Sequence, residues 1–322
     1  MQLIMMGTGD FAVPTFRRLL DHGYAVRLLV TQPDRPQGRH QQLVPAAIKQ
    51  LALERGAEVF QPLSVNTTES VDRLAALRPD LLVVGAYGQI LSDTVLRVAR
   101  LGGVNLHASL LPKYRGAAPV NWAIYHGETV TGVTVIQMSP QVDAGGILLQ
   151  AETPIGPVET ADELEVRLAE VGAPLVCQAI DGLATGTLQG RKQDRSQSSR
   201  APKLKKEHGL IDWTRSAAQI SNQVRALQPW PMAYTYRHQA SGNPLERIVI
   251  ERASPHDLMH HAERPTEPGS IVAADGFRLL VQAGDRPVCI ERLRPAGKRS
   301  MSAEEFLRGH RVQPGDRFGS NT

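Results

Sequence analysis

The first half of the chain alternates between short apolar runs and segments with helical periodicity. The apolar runs predict buried strands, at residues 3–6, 25–30, 59–60 and 80–85. The segments between them predict helices, at residues 11–22, 44–55, 68–77 and 92–97. Strands that alternate with helices in this way favour an α/β fold with a doubly wound, mostly parallel sheet.

The hydrophobic pattern becomes more varied in the middle of the chain. The predicted elements there are a helix at residues 118–126, a half-exposed hairpin at 131–138 and 147–153, and a long helix at 160–186. A further helix is predicted at residues 216–227. Five short runs separated by turn residues then predict strands at residues 233–237, 247–252, 270–273, 277–281 and 288–293. Short strands at this spacing favour a small β-barrel of the oligonucleotide-binding (OB) type.

The length of 322 residues predicts two domains, because single cores usually stop growing at about 250–300 residues. We expect the doubly wound domain at residues 1–190, a basic linker at 191–209 and the barrel domain at 210–322. Residues 191–206 hold seven basic residues against one acidic residue and almost no apolar ones. That composition is typical of a linker, and on composition alone also of a disordered spacer.

The net charge of +4 conceals an asymmetry between the two halves of the chain. Residues 1–190 hold 14 Lys and Arg against 18 Asp and Glu, a net charge of −4. Residues 191–322 hold 22 against 14, a net charge of +8. A basic second half favours a polyanionic partner, although Arg-rich solvated faces would give the same count.

Cysteine usage and the chain start indicate the compartment. Cys177 and Cys289 lie far apart in apolar contexts, without metal-ligand spacing, which indicates buried thiols in a reducing cytosol. The N-terminus opens directly into an apolar strand, without the charged region of a secretory signal. No apolar run approaches the roughly 20 residues that a membrane span requires. We therefore expect a cytoplasmic protein without a membrane partner. We also expect a monomer.

Three polar residues in the middle of the chain suit acyl transfer. Asn105 and His107 are two residues apart in an apolar run, so on a strand their side chains point to the same face. The amide can donate to a developing oxyanion while the imidazole takes a proton from an attacking nucleophile. Asp143 lies between two apolar runs, where it could orient the imidazole. The alternative is a solvated strand end beside an ordinary acidic turn.

The sequence around these residues resembles a known family. Residues 105–119 read Asn-Leu-His-Ala-Ser-Leu-Leu-Pro-Lys-Tyr-Arg-Gly-Ala-Ala-Pro, and residues 142–145 read Val-Asp-Ala-Gly. Together they resemble the signature of the 10-formyltetrahydrofolate-dependent formyltransferases. The resemblance implies a Rossmann-like formyltransferase domain in which Asn105, His107 and Asp143 carry formyl transfer to an amine, with no metal. It implies folate contacts at Ser109, Leu110, Leu111, Pro112, Tyr87 and Gly88.

Three further segments resemble the branch of this family that formylates methionyl initiator tRNA. They are Thr-Gln-Pro-Asp-Arg-Pro-Gln-Gly-Arg at residues 31–39, Ala-Pro-Lys-Leu-Lys-Lys at 201–206 and Arg-Pro-Ala-Gly-Lys-Arg-Ser-Met at 294–301. The resemblance implies that basic residues of these segments contact the tRNA, namely Arg35, Arg39, Lys203, Lys206, Lys298 and Arg299. It implies that the reaction gives N-formylmethionyl-tRNA for translation initiation. Here His40, Gln41 and Gln42 replace the lysines usual in the family, so Arg35 and Arg39 would carry more of the contact.

Other functions remain open from the sequence. A formyltransferase for a nucleotide-sugar amine would suit residues 111–116, residues 121–122 and the presence of a second domain equally. The loop at residues 32–39, the basic linker and the motif at residues 297–298 argue against it. A glycinamide ribonucleotide formyltransferase would lack a basic second domain. An RNA-binding module on an inactive α/β scaffold would not require Asn105, His107 and Asp143 together.

Overall fold

The computed structural model describes residues 1–37, 42–238, 246–257, 267–312 and 316–320. The chain divides into two compact units. The first comprises Met1–Pro119, Val130–Pro154 and Glu163–Pro202, and the second comprises Val120–Thr129, Ile155–Asp162 and Lys203–Thr322. The domain limits drawn from the sequence stay a prediction.

The first part of the chain forms strands and helices in alternation. Its elements are β1 (Gln2–Gly7), α1 (Val13–Asp21), β2 (Ala25–Val30), β3 (Arg35–Gln37), β4 (Gln42–Val44), α2 (Ala47–Glu54), β5 (Val59–Phe60), α3 (Thr68–Ala76), β6 (Leu81–Gly85), α4 (Asp93–Leu96) and β7 (Gly103–His107). They continue with β8 (Arg115–Gly116), α5 (Pro119–Tyr125), β9 (Val130–Gln137), β10 (Ile147–Pro154), α6 (Ala161–Thr185) and β11 (Arg200–Ala201). The predicted helices and strands of this region all have a counterpart here, with ends that differ by a few residues.

The main sheet is ordered β10-β9-β7-β6-β1-β2-β5. Strands β5, β2, β1, β6 and β7 run parallel, and β9 and β10 add an antiparallel hairpin at one edge. The prediction of a doubly wound, mostly parallel sheet is confirmed. The chain moves from β1 outward through β2 and β5 and then returns to β6 on the other side of β1. Ligands bind beyond the carboxyl ends of the strands at such a switch point.

Apolar residues of the parallel strands pack against the helices that follow them. Ile4 and Met6 of β1 lie in one buried cluster with Leu74 of α3 and Val95 of α4. At the end of β1, Gly7 pairs with Gly85 of β6, and a Cβ at Gly7 would lie 2.7 Å from the Cβ of Ala12. A side chain at Gly7 would therefore push away the turn that leads into α1.

Residues that the composition marked as a linker make ordered contacts in the first unit. Arg191 exchanges two backbone hydrogen bonds of 2.8 Å with Ile147, at the start of β10. Strand β11 pairs in parallel with β8, so that Arg200 lies opposite Arg115 and Ala201 opposite Gly116. The basic composition gave no indication of these contacts, because they join residues that lie far apart in the sequence.

The second unit carries an antiparallel sheet. Its further elements are α7 (Ala217–Ala226), β12 (Ala233–His238), β13 (Glu246–Pro255), β14 (Ile271–Ala274), β15 (Leu279–Gln282), β16 (Pro287–Pro295), β17 (Met301–Ser302), α8 (Ala303–Gly309) and β18 (Arg317–Gly319). The strands are ordered β14-β15-β16-β13-β12-β18, and β17 pairs with β16. The sheet surrounds a core that includes Ile248, Ile250, Leu279 and Val288, with Ile220 of α7 packed against it.

The two outer strands of this sheet meet and nearly close it into a barrel. Ser270 forms an antiparallel bridge with Arg317, and the backbone N–H of Phe318 donates to the Gly269 carbonyl at 2.7 Å. The five predicted strands are present, and the barrel-like architecture is confirmed. The sequence did not indicate β17, α8 or β18, which lie in or near a tail that carries little hydrophobic pattern.

Candidate active site

His107 and Asp143 form a buried pair beside the carboxyl end of the parallel sheet. His107 is the last residue of β7 and is only 5% exposed. Its Nε2 lies 2.9 Å from the Tyr114 carbonyl oxygen, and its Nδ1 lies 3.6 Å from Oδ2 of Asp143. A carbonyl only accepts, so Nε2 carries the proton and Nδ1 is the basic nitrogen of the neutral ring. Protonation at Nδ1 would place a cation beside the Asp143 carboxylate.

The carboxylate of Asp143 is fixed by the conformation of its own backbone and by a hydrogen bond from the segment that contains Gly116. Its Oδ2 accepts from the backbone N–H of Gly116 at 2.9 Å. Asp143 has a φ of 50°, in the left-handed region that non-glycine residues rarely adopt. Two residues later, a Cβ at Gly145 would lie 1.7 Å from the Gln137 carbonyl oxygen, so only glycine fits there. The loop between β9 and β10 thus presents this carboxylate to the histidine.

Asn105 lies two residues before His107 on the same strand. It pairs with Val84 of β6 on one side and with Ile136 of β9 on the other. Its side chain is half-buried and makes no hydrogen bond within the described residues. Because side chains at i and i+2 of a strand share a face, the free amide and the imidazole project to the same side of the sheet. The structure thus brings together the three predicted catalytic residues.

The loop that follows β7 is fixed by its own polar groups. The Ser109 hydroxyl donates to the Lys113 carbonyl at 2.7 Å, and the Leu111 N–H donates to Oγ1 of Thr134 at 3.0 Å. Gln150 of β10 donates to the Leu111 carbonyl at 2.9 Å. Thr134 and Gln150 were not singled out from the sequence, because each reaches the loop from a strand well away in the chain.

The predicted folate residues divide into buried and accessible groups. The side chains of Ser109, Leu111 and Tyr87 are buried, whereas Leu110 and Pro112 are half-buried and Gly88 is exposed. Burial raises the pKa of Tyr87 to about 12, and its hydroxyl has no hydrogen-bond partner among the described residues. A ligand at this edge would therefore meet the backbone of the buried residues rather than their side chains.

Two residues from the predicted linker complete the surroundings of the His107–Asp143 pair. Gln193 is 6% exposed and donates to the carbonyls of Asp143 and Gly145, both at 2.8 Å. The Ser199 hydroxyl accepts from the backbone N–H of Tyr114 at 2.9 Å. Sequence reasoning missed both residues, since a polar residue in a polar, basic segment gives no signal of the hydrogen bonds that it makes with distant parts of the chain.

Comparison with known proteins identifies the family. A family model described as formyl transferase matches residues 1–180, and one described as formyl transferase, C-terminal domain, matches residues 203–311. The chain belongs to the formyl transferase family. A curated methionyl-tRNA formyltransferase from Geobacter sulfurreducens is 44% identical over 321 residues, covering 99% of this chain and 97% of that protein. Another, from Bacillus subtilis (strain 168), is 37% identical over 321 residues, covering 99% and 98%. The predicted resemblance is confirmed.

Solved structures share the fold. An N-formyltransferase from Helicobacter canadensis, in complex with folinic acid and dTDP-3-aminofucose, gives a TM-score of 0.66 at 18% identity, covering 89% of this chain and 98% of that one. A variant of HypX from Aquifex aeolicus gives a TM-score of 0.61 at 18% identity, covering 95% and 48%. Both likenesses extend over most of the chain and support the assignment of a sheet domain followed by a barrel.

The basic residues that the resemblance assigns to tRNA lie on exposed parts of each unit. In the first unit, Arg35 is exposed in β3, and its neighbour Asp34 is bound by Lys49 and Gln61, which hold the pKa of that carboxyl below its usual range. Arg39 lies outside the described residues. In the second unit, the exposed residues are Lys203, Lys206, Lys298 and Arg299. The Arg299 guanidinium donates to the Glu305 carboxylate at 2.8 Å.

Two features are absent from the part of the chain that the structure describes. Within it, no helix combines the length and apolar character needed to cross a bilayer. Nor do three or more His, Cys, Asp or Glu side chains in these ranges converge as a metal site would require.

Proposed function

We propose that this formyl transferase moves the formyl group of 10-formyltetrahydrofolate to the α-amino group of methionine on initiator tRNA, giving N-formylmethionyl-tRNA. The observation that carries the chemistry is the buried His107–Asp143 pair beside the unpaired amide of Asn105. The full-length relationship to curated methionyl-tRNA formyltransferases, which includes the barrel, supports the choice of acceptor.

The reaction passes through a tetrahedral carbon. The lone pair of the neutral amine forms a bond to the formyl carbon, and the carbonyl oxygen becomes an oxyanion. The Asn105 amide is placed to donate to that oxyanion, in a site where a preorganised donor is worth about 10²–10³ in rate. The bond from the formyl carbon to N10 then breaks, N10 keeps the electron pair, and it takes up a proton as it leaves.

His107 and Asp143 would manage the proton that the attacking amine loses. The basic Nδ1 of His107 faces Asp143, so a proton taken up there creates an imidazolium with an acceptor at each nitrogen. At 3.6 Å the Nδ1–Oδ2 separation is longer than a direct hydrogen bond, so Asp143 would stabilise the imidazolium mainly through its charge. General acid–base assistance of this kind typically contributes about 10²–10⁴ in rate. No covalent intermediate with the protein is needed.

The roles of the folate and tRNA residues belong to the same proposal. Leu110, Pro112 and Gly88 would meet the donor at the strand ends, with Ser109, Leu111 and Tyr87 shaping the backbone around it. The exposed cations Arg35, Lys203, Lys206, Lys298 and Arg299, together with Arg39, would contact tRNA phosphates, for which their charge is suited.

One assay tests the proposal against its alternatives. Labelled 10-formyltetrahydrofolate is offered with methionyl-tRNA, a nucleotide-sugar amine and glycinamide ribonucleotide in parallel, and kcat/KM is measured for each. We expect the largest value with methionyl-tRNA. A larger value with the sugar amine would overturn the choice of acceptor, and transfer to none of the three would overturn the proposed activity itself.

A further inference from the structure

Both polar atoms of the Gln193 side-chain amide form hydrogen bonds with the segments that carry the active-site residues. Its Nε2 donates to the carbonyls of Asp143 and Gly145 at 2.8 Å. Its Oε1 accepts from Nε and Nη2 of Arg115 at 3.1 and 2.6 Å. One buried amide therefore joins the loop between β9 and β10 to the loop after β7.

These hydrogen bonds of Gln193 help to fix the position of the Asp143 carboxylate. The backbone of Asp143 is in the left-handed region, and such a conformation persists only when its surroundings hold it. Gln193 holds the carbonyl of Asp143, while the N–H of Gly116, the residue after Arg115, holds its carboxylate. Loss of the Gln193 hydrogen bonds would release the strained backbone of Asp143. It would also loosen, through Arg115, the Gly116 N–H that binds the Asp143 carboxylate.

Ser199 acts in the same way on the histidine side of the pair. Its hydroxyl accepts from the N–H of Tyr114, and its carbonyl accepts from the N–H of Arg115, both at 2.9 Å. Tyr114 has a φ of 62°, and its carbonyl is the acceptor for Nε2 of His107. The ring of His107 is thus oriented by a residue whose own backbone is held from the segment that contains Ser199.

The pairing of β8 with β11 keeps this segment in register. Gly116 has a φ of 131°, and a Cβ there would lie 2.4 Å from the Ala201 carbonyl oxygen. The two backbones are therefore too close for any side chain at Gly116. A shift of the segment by one residue would separate Gln193 from Asp143 and Ser199 from Tyr114 at once.

We propose that Gln193 and Ser199 are positioning residues for formyl transfer. Gln193 sets the place of the Asp143 carboxylate, and Ser199 sets the carbonyl that orients His107. Neither side chain acts on the reacting atoms. The inference rests on the proposed function for its chemistry, but the roles of the two residues concern any amine that the active site formylates.

The decisive variant is Gln193→Glu. It keeps the size of the side chain and an acceptor for Arg115, but it removes both N–H donors to the loop of Asp143. The matched control is Gln228→Glu in the second unit, because Nε2 of Gln228 also donates to two backbone carbonyls, those of Val224 and Glu251, at 3.1 and 2.8 Å. Each variant is measured for kcat, for both KM values and for Tm, with assays well below the lowest Tm.

We expect Gln193→Glu to lower kcat by about 10- to 100-fold, because a displacement of about 1 Å in a catalytic group can have an effect of that size. Both KM values should stay near those of the wild type, and Gln228→Glu should lower Tm without a comparable loss of kcat. If Gln193→Glu lowers Tm and leaves kcat unchanged, Gln193 only stabilises the fold and the inference is wrong.

A second pair of variants keeps the inference testable if Gln193→Glu does not fold. Ser199→Ala removes the acceptor for the Tyr114 N–H, whereas Ser199→Thr keeps it. We expect kcat to fall in Ser199→Ala and to be largely restored in Ser199→Thr, and equal kcat values in the two would contradict the role of Ser199. A wild-type protein that does not formylate methionyl-tRNA contradicts the proposed function instead, and the variants are then compared on whichever amine it does formylate.

Discussion

The proposed formyl transfer depends on three side chains, those of His107, Asn105 and Asp143. We expect His107→Ala, Asn105→Ala and Asp143→Asn each to lower kcat by about 10²–10⁴ while changing KM much less, because the proposed mechanism has each side chain act on the transition state. Steady-state kinetics with both substrates varied measures the split. His22→Ala, at an exposed helix end, is the control. A His107→Ala variant that retains more than about a tenth of kcat would remove the histidine from proton transfer.

The buried hydroxyl of Tyr87 gives a second prediction at the residue scale. Since this hydroxyl has no partner in the part of the chain that the structure describes, Tyr87→Phe should leave the free energy of unfolding unchanged or raise it by up to about 1 kcal/mol. Tyr24→Phe is the matched control, because the Tyr24 hydroxyl donates to Asp181 at 2.8 Å and its loss should cost about 1 kcal/mol. Denaturant unfolding measures both. A raised KM for 10-formyltetrahydrofolate in Tyr87→Phe would show instead that the hydroxyl reaches the donor.

The elements of the sheet domain were accessible from the sequence, whereas several contacts that shape the active site were not. Runs such as residues 80–85 are apolar throughout, as expected for strands buried on both faces, and β6 is buried along its whole length. Strands β8 and β11 have two residues each, too few to show a period, and they exist because each supplies the hydrogen bonds of the other. Gln193 could not be found for a similar reason: its burial depends on loops that arrive from elsewhere in the chain.

Closure of the barrel supplies a prediction at the scale of elements. Asp316, just before β18, binds Arg237 of β12 at 2.6 Å, and both side chains are 3% exposed. Asp316→Asn would remove the nearer of the two carboxylates beside the buried guanidinium and leave only Glu246, at 3.9 Å, so we expect the free energy of unfolding to fall by about 3 kcal/mol. Chemical denaturation of the full chain measures this loss.

The control is Asp275→Asn, which breaks an ion pair with Arg278 that is exposed to solvent. Solvent screens such pairs, so this substitution should change stability much less than Asp316→Asn. Equal losses for the two variants would mean that the Arg311 carbonyl, which also accepts from Arg237, and the Glu246 carboxylate are sufficient partners for the buried guanidinium. Closure through β18 would then contribute little to the barrel.

At the scale of the whole molecule, the uneven distribution of charge favours binding of a polyanionic acceptor such as tRNA by the second half of the chain. Residues 1–190 have a net charge of −4 and residues 191–322 a net charge of +8. The excess is carried partly by side chains that are already paired, such as Arg294 with Glu251 at 3.1 Å and Arg299 with Glu305 at 2.8 Å. Because the Arg299–Glu305 pair is largely exposed, a phosphate can compete for the Arg299 guanidinium at little cost. The number of phosphates neutralised therefore has to be measured rather than counted from the sequence.

The salt dependence of tRNA affinity measures that number. Each phosphate neutralised contributes up to about 0.9 to the slope of log K against log [salt] on duplex nucleic acid, so an affinity that depends on several contacts should fall steeply between about 50 and 200 mM salt. Lys298→Glu combined with Arg299→Glu should reduce that slope and raise KM for methionyl-tRNA, with KM for 10-formyltetrahydrofolate nearly unchanged.

The matched control is Arg55→Glu with Arg73→Glu, which changes the net charge equally at the ends of α2 and α3 that lead into the sheet. If both double variants weaken tRNA binding alike, only the overall charge matters. If neither does, and the affinity of the wild type is insensitive to salt, the barrel does not dock the acceptor through its phosphates, and a small-molecule amine becomes the better acceptor for this active site.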